Sequence, residues 1–356
     1  MNPEKIPSWL LWPLTFPYGA ITRLRASFYR AGILRQHRLD GVVISVGNLT
    51  VGGTGKTPMA LWIAQRLVEE GKRCAILTRG YRGGNSPAGI TSDEARLLGA
   101  RLGERAEVGV GADRFASGRA LAKRDVGWFV LDDGFQHMQL ARDVDIVLID
   151  ATNPFGGRLL PAGRRREPRS ALGRADLIVI MRSSHAPAIE AAVRRDSPAE
   201  VFYARPELDS IHPLNAAGSR ATDTDIDAGA AALRNRKLFA FCGVGNPTAF
   251  LRDLRRWNLQ IAGHAFFRDH HRYRQSEIEA LVQEARASGA DALVCTEKDS
   301  LNLAGVRTDA MDVFYCTISV RVDRGDEFWR SVMKIASARR TAREQRRMNG
   351  GPWTAE

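Results

Sequence analysis

The chain has 356 residues, of which 44% are hydrophobic and 26% are charged. This composition is typical of a folded globular protein and excludes a disordered or fibrous chain, and the length favours two domains over one. A net charge of +12 favours anionic partners, which include phosphorylated substrates, acidic lipids and nucleic acid.

The first forty residues combine aromatic and basic side chains. Trp9 and Trp12 precede a predicted amphipathic helix over 19–34, whose apolar face contains Ile21, Leu24, Phe28 and Ala31. Tryptophans beside an arginine-rich amphipathic helix suit the headgroup layer of an anionic membrane, and packing of this helix on its own domain is the alternative. No apolar run reaches the roughly 18 residues of a membrane span.

From Gly41 onward, apolar runs alternate with amphipathic helices. The runs predicted as strands are 42–46, 74–78, 128–131, 145–149 and 177–181. Because these runs are continuous and do not alternate with polar residues, they predict a parallel sheet with helices on both faces.

A second set of elements follows residue 235. Strands are predicted at 237–244, 292–296 and 313–320, with a helix near 247–257. The fold class is therefore α/β, with a phosphate-loop (P-loop) NTPase-type sheet, a smaller C-terminal α/β lobe and an N-terminal interfacial helix. The predicted boundaries are 1–38 for the membrane-associated segment, 39–210 for the first domain, 211–236 for a linker, 237–335 for the C-terminal lobe and 336–356 for a frayed basic tail.

The scattered cysteines favour reduced, buried thiols over a disulfide framework or a zinc site. They are Cys74, Cys242, Cys295 and Cys316.

The segment GNLTVGGTGKTP follows the first predicted strand and precedes a helix. Its glycines let backbone N–H groups surround phosphates, while Lys56 reaches the β- and γ-phosphates and Thr57 holds Mg²⁺. Val51 stands where dimeric switch ATPases carry a lysine, which argues against such a switch. The residues predicted to bind ATP are Thr50, Val51, Gly52, Gly53, Thr54, Gly55, Lys56 and Thr57.

Two aspartates, Asp132 and Asp133, follow the strand 128–131. Adjacent carboxylates repel each other unless a cation offsets the repulsion, so the pair predicts a magnesium site, with a capping turn as the alternative. Gln136 and His137 follow directly and are predicted to orient substrate or nucleotide. A kinase also needs a base near its acceptor hydroxyl, but spacing alone does not select Asp113 or His270 for that role.

Many ordered strings in this sequence resemble one family. SVGNLTVGGTGKTP, LTRGYRG, ADRF, LDDGFQH, LLPAGRRREP, GVGNPTAF, FFRDHHRY and TEKD occur between residues 8 and 322, as in the tetraacyldisaccharide 4'-kinases. The resemblance implies ATP- and Mg²⁺-dependent phosphorylation of the 4'-hydroxyl of a tetraacylated glucosamine disaccharide 1-phosphate, which yields lipid IVA. It also implies peripheral attachment to the cytoplasmic face of the Gram-negative inner membrane.

The resemblance assigns roles to single residues. Asp113 in ADR matches the general base and His270 in DHHRY matches its partner, while Lys56, Asp132 and Asp133 support catalysis and Thr57 holds metal with the two aspartates. The expected partners are the lipid substrate and the anionic membrane, without nucleic acid or an obligate protein. Residues expected to contact substrate are Gln136, His137, Arg164 and Glu167.

Three alternatives remain open at this point. A kinase for a soluble sugar would not need the N-terminal aromatic residues. A nucleic-acid-associated ATPase would show strongly salt-dependent binding, although no nucleic-acid motif is present. A membrane-bound switch ATPase is disfavoured by Val51.

Overall fold

A computed structural model describes residues 10–80, 93–102, 106–214, 233 and 235–349. The chain forms two compact units, of which the first contains Met1–Arg205 and Arg321–Glu356 and the second contains Pro206–Val320. The predicted boundaries differ from these, because the second unit ends at Val320 and not at residue 335, and the chain then returns to the first unit. Most of the predicted linker 211–236 lies outside the described residues, and its first residues continue a strand.

The sheet of the first unit has the strand order β3-β2-β4-β1-β5-β6-β7, and its described pairs are parallel. The five predicted strands are confirmed, with ends shifted by at most two residues, and β3 and β7 are added. The bounds are Val42–Asn48 (β1), Cys74–Thr78 (β2), Ala106–Val110 (β3), Trp128–Asp132 (β4), Val144–Asp150 (β5), Leu177–Met181 (β6) and Glu200–Pro213 (β7).

Helices accompany these strands in the crossover connections that parallel strands require. Gly71, with φ +72°, ends the predicted helix after the phosphate loop, as expected for a left-handed residue beyond a helix C-terminus. The helices are Trp12–Arg30 (α1), Lys56–Glu69 (α2), Asp93–Leu102 (α3), Arg114–Ala122 (α4) and Pro187–Arg194 (α5), with a 3-10 helix at Arg169–Arg174.

The strands of the second unit follow the end of β7 in the order β11, β10, β8 and β9. Side chains of β8 alternate between two apolar clusters, one with Phe239 and Phe241 and the other with Leu238 and Ala240, so both faces of the sheet are covered. The elements are Lys237–Cys242 (β8), Pro247–Arg256 (α6), Gln260–Phe266 (β9), Gln275–Ala287 (α7), Ala292–Thr296 (β10), Glu297–Leu301 (α8) and Val313–Val322 (β11).

The last helix, α9, spans Gly325–Met348 and packs against β1 and β5 of the first unit. Phe328 is fully buried, with its ring 5.6 Å from that of Trp62 and 5.1 Å from that of Phe202. Farther along, Arg339 donates to Asp176 and Arg343 lies 3.3 Å from the buried carboxylate of Asp143. The prediction of a frayed tail is therefore wrong as far as Met348, because its arginines are anchored by carboxylates.

Helix α1 begins at Trp12, seven residues before the predicted start at residue 19. Pro13 is tolerated because it lies in the first turn, where the N–H has no helical partner. Trp9 lies outside the described residues. Among the helices that the structure describes, none combines the length and apolar character needed to cross a bilayer. All four cysteines are buried and free, as predicted.

Candidate active site

The phosphate loop leaves β1 at the carboxyl edge of the first sheet. All seven residues of β1 are buried, so the loop starts from a fixed point. Gly52 and Gly55 have φ values of +121° and +90°, which only glycine adopts readily, and α2 begins directly after them at Lys56. The N–H groups at the start of α2 thus face the loop, an arrangement that favours phosphate.

Contacts from outside the loop hold its backbone. Asn48 donates through its side chain to Thr54. The Arg164 guanidinium donates to the Val51 carbonyl at 3.0 Å, and the Val51 N–H donates to the Arg164 carbonyl at 2.8 Å. Arg164 therefore braces the loop in this structure, and its predicted contact with substrate stays a prediction.

The first aspartate of the predicted metal site lies beside α2. Asp132 ends β4, and the parallel register pairs it with Val46 of the neighbouring β1. The Thr57 hydroxyl donates to Asp132 Oδ2 at 2.8 Å. The hydroxyl and the carboxylate that sequence analysis assigned to Mg²⁺ are thus in direct contact.

The second aspartate, Asp133, has a left-handed backbone with φ +56°. Its carboxylate lies 2.7 Å from Arg166 Nη1 and 3.7 Å from Lys56 Nζ. Burial alone would raise the pKa of Asp133, but Lys56 and Arg166 outweigh that effect and hold the pKa below its usual value. The carboxylate is therefore ionised at neutral pH.

These residues fit a magnesium ion. Asp133 Oδ1 is buried and accepts no hydrogen bond from the residues that the structure describes. Magnesium prefers oxygen ligands, and in nucleotide sites it is usually held by one or two carboxylates together with phosphates and water. Two carboxylates and the Thr57 hydroxyl supply that set. Across the described ranges, no group of three or more His, Cys, Asp or Glu residues is placed to hold a metal ion.

Arg166 organises the next part of the site. Its guanidinium contacts Asp133 and also donates to Gln136 Oε1 at 3.1 Å, while Gln136 Nε2 donates to the Asn48 carbonyl at 2.8 Å. The run of three arginines at 164–166 shows no periodicity that distinguishes its members, so the contact of Arg166 with Asp133 could not be predicted from the sequence.

His137 is held as a neutral ring. Burial lowers the pKa of His137 to about 4, with further lowering by Arg114, Arg142 and Arg25. Arg114 Nη1 lies 3.4 Å from His137 Nδ1, and a guanidinium only donates, so Nδ1 accepts and Nε2 carries the proton. The contact of Arg114 with His137 could not be predicted from the string ADRF, because it depends on the burial of the Arg114 side chain.

Asp113 and His137 line one cavity of about 450 Å³, together with Tyr29, His37 and Phe115. Asp113 is exposed and caps α4, where its carboxylate accepts the Ala116 N–H at 3.0 Å. The structure thus brings the predicted base and a predicted substrate residue to the same cavity.

Helix α1 is fastened to the loops of this site. The Tyr18 hydroxyl donates to the Arg166 carbonyl at 2.9 Å, and Arg25 donates to the Gln136 carbonyl at 3.2 Å. The outward side of α1 and its flanks carries large apolar residues that are 49% to 67% exposed, namely Leu10, Trp12, Leu14, Phe16, Ile21, Leu24 and Ile33. An apolar face of this size favours contact with another surface.

Two predicted residues lie elsewhere. Glu167 is buried, pairs with Arg174 at 2.9 Å and lines a separate cavity of about 690 Å³ beside α1. His270 lies in the second unit, between β9 and α7. Their roles toward substrate and toward Asp113 stay predictions.

Comparisons with known proteins identify the family of this chain. The family model described as Tetraacyldisaccharide-1-P 4'-kinase matches residues 7–337. A Tetraacyldisaccharide 4'-kinase of Geobacter metallireducens is 40% identical over 316 residues, which are 83% of this chain and 89% of the relative. One from Anaeromyxobacter dehalogenans is 41% identical over 307 residues, with 81% and 79% covered. The crystal structure of LpxK from Aquifex aeolicus in complex with ATP is 28% identical, with a TM-score of 0.66 over 92% of this chain and 99% of that one.

Proposed function

The chain belongs to the tetraacyldisaccharide-1-P 4'-kinase family, and from that premise we propose which of its residues carry each part of the reaction. The enzyme transfers the γ-phosphate of ATP to the 4'-hydroxyl of a tetraacylated glucosamine disaccharide 1-phosphate, a step of lipid A biosynthesis. This decides against the soluble-sugar kinase, the nucleic-acid-associated ATPase and the switch ATPase.

The phosphate loop and Asp132 hold the nucleotide. The contact between Thr57 and Asp132 carries this assignment, because it places a hydroxyl and a carboxylate together at the N-terminus of α2. Mg²⁺, when bound there, neutralises charge on the phosphates. Lys56 stabilises charge on the transferring phosphoryl group, and Arg166 keeps Asp133 ionised and directed toward the same place.

The acceptor hydroxyl lies in the cavity that Asp113 and His137 share. Asp113 accepts the hydroxyl proton, and the neutral His137 donates from Nε2 to the sugar. The pairing of Asp113 with His270 is part of this proposal and is supported by the family motifs alone.

Helix α1 lies in the headgroup layer of an anionic membrane at its cytoplasmic face. Its exposed apolar residues and its basic residues support this placement. Because Tyr18 and Arg25 bind loops of the active site, a lipid held along α1 would present its sugar close to Asp133 and Gln136.

A labelling experiment tests the function. The enzyme is incubated with γ-labelled ATP and detergent-dispersed tetraacyldisaccharide 1-phosphate, beside an analogue whose 4'-hydroxyl is methylated. We expect label on the first lipid and none on the analogue. Labelling of the blocked analogue, or of neither lipid, contradicts the proposed reaction.

A further inference from the structure

The backbone of His270 is held in an unusual conformation. Its φ of +60° lies in the left-handed region, which residues other than glycine seldom adopt. The His270 N–H donates to the Gly243 carbonyl at 3.2 Å. Such a conformation persists only where surrounding contacts impose it, so the second unit is built to place this residue.

A buried carboxylate supports the other side of Gly243. The Gly243 N–H donates to Asp299 Oδ1 at 2.8 Å, and the Tyr273 hydroxyl donates to the same carboxylate at 2.8 Å. A Cβ on Gly243 would lie 2.8 Å from the Arg268 carbonyl, so the two loops approach closely. The backbone of His270 is thus fixed relative to Asp299 and its neighbour in sequence, Lys298.

Lys298 fixes the side chain of His270. Its ammonium lies 2.9 Å from Asp269 Oδ1 and 3.3 Å from His270 Nε2, and its side chain is 17% exposed. Asp269 Oδ1 lies 3.9 Å from the same ring nitrogen, which is beyond hydrogen-bond distance. An ammonium has three donors and no acceptor, so Nε2 accepts from Lys298 and the proton of the neutral imidazole lies on Nδ1. The hydrogen bond at one ring nitrogen sets the tautomer at the other.

We propose that Lys298 is a positioning residue that holds His270 in its Nδ1–H tautomer. Asp269 in turn holds the ammonium against the ring. The consequence for turnover rests on the proposed function: Nδ1–H is the donor that His270 offers to the carboxylate of the general base. The Nε2–H tautomer would present the lone pair of Nδ1 to that carboxylate and repel it.

Nitrogen NMR of the full chain with ¹⁵N-labelled histidine tests the tautomer directly. His270→Gln identifies the signals, which we expect to show Nδ1–H in the parent protein at pH values where the ring is neutral. Lys298→Met is expected to increase the Nε2–H form, and Lys298→Arg to restore Nδ1–H. Lys237→Met, at an exposed lysine of the same unit, serves as the matched control and leaves the spectrum unchanged.

An Nε2–H ring in the parent protein, or an unchanged tautomer in Lys298→Met, overturns the proposal. The parent spectrum decides this even if the variant does not fold.

Kinetics separate this proposal from the assigned function. Lys298→Met should lower kcat by about 10- to 100-fold, part of the roughly 10²–10⁴-fold contributed by acid–base catalysis, with KM for ATP unchanged. Added to His270→Ala, it should cause no further loss. If Lys298→Met changes the tautomer but leaves kcat unaltered, the contact between Lys298 and His270 is supported and His270 has no role in catalysis. A further loss in the His270→Ala background overturns action through His270.

Discussion

The phosphate loop and helix α1 belong to the same unit and are built in opposite ways. At the loop, charged and polar side chains bind one another, as Thr57 binds Asp132 and Arg166 binds Asp133. On α1, Trp12 and Phe16 are 49% and 66% exposed. The loop region is assembled by contacts within the protein, whereas α1 exposes an apolar face of the kind that a second surface would cover.

The residues proposed to carry the chemistry and those proposed to contact the lipid are thus separate along the chain. Hydrogen bonds from Tyr18 and Arg25 to loop carbonyls join the two regions, and Arg158 lies over the ring of Trp12. Changes at the loop should therefore affect every acceptor, while changes on the apolar face of α1 should affect lipid acceptors alone.

The largest effect is expected at Lys56. Lys56→Ala should lower kcat by about 10³–10⁵-fold, the range for a cation that stabilises the transferring phosphoryl group. The loss should be equal for the lipid substrate and for a deacylated, water-soluble analogue, measured in the same assay. Lys123→Ala, at an exposed lysine of the first unit, is the control and should keep full activity. Near-normal kcat in a folded Lys56→Ala protein would refute the loop assignment.

Substitution of Asp113 or His270 should cause the next largest loss of activity. Asp113→Ala and His270→Ala should each lower kcat by roughly 10²–10⁴-fold, because a base and the group that orients it are both needed for proton transfer. The double variant should be little worse than the poorer single variant. Affinity for ATP, measured by titration, should hardly change. Losses that add fully in log kcat would show that the two residues act separately.

Substitutions on the apolar face of α1 should have a smaller effect, which is confined to membrane binding. Trp12→Ser and Phe16→Ser should each weaken partitioning into anionic vesicles by about tenfold, since burial of such a side chain is worth about 1.5 kcal/mol or more. Activity on the deacylated analogue should stay constant. Phe266→Ser, at an exposed phenylalanine of the second unit, is the matched control. Equal partitioning of parent and variants would show that this face does not contact lipid.

The smallest effect is expected from the neutral His137 and concerns the pH dependence of the free energy of unfolding. The folded state lowers the pKa of His137 from its ordinary 6.5 to about 4, so between these pH values the unfolded chain binds a proton that the folded chain does not. The free energy of unfolding of the parent protein should therefore fall from pH 6.5 toward pH 4. Urea unfolding of His137→Asn should show a shallower fall over this window, and identical slopes would argue against a neutral, buried ring.

The loop, its strands and the paired aspartates could be predicted because their signals are local. An apolar run followed by GGTGKT, or by two aspartates, determines both the element and the chemistry within a few residues, and the strands 74–78 and 177–181 match the structure residue for residue. The contact between Thr57 and Asp132 follows from the adjacency of β1 and β4, which a parallel sheet makes possible.

Features that depend on distant partners could not be predicted. Arg114 and Arg166 gain their roles from His137 and Asp133, which are separated from them by 23 and 33 positions. Helix α1 was expected to start at residue 19, but it starts at Trp12 and includes both Pro13 and Pro17. Phe28, predicted on the membrane face, is partly buried.

The return of α9 to the first unit has a consequence for synthesis on the ribosome. Trp62 and Phe202 are made early, yet the ring that covers both belongs to Phe328. All of Pro206–Val320 is translated in the interval, so the second unit can fold while the first still lacks a helix. The core of the first unit is therefore completed last, although its first strands are among the first to emerge.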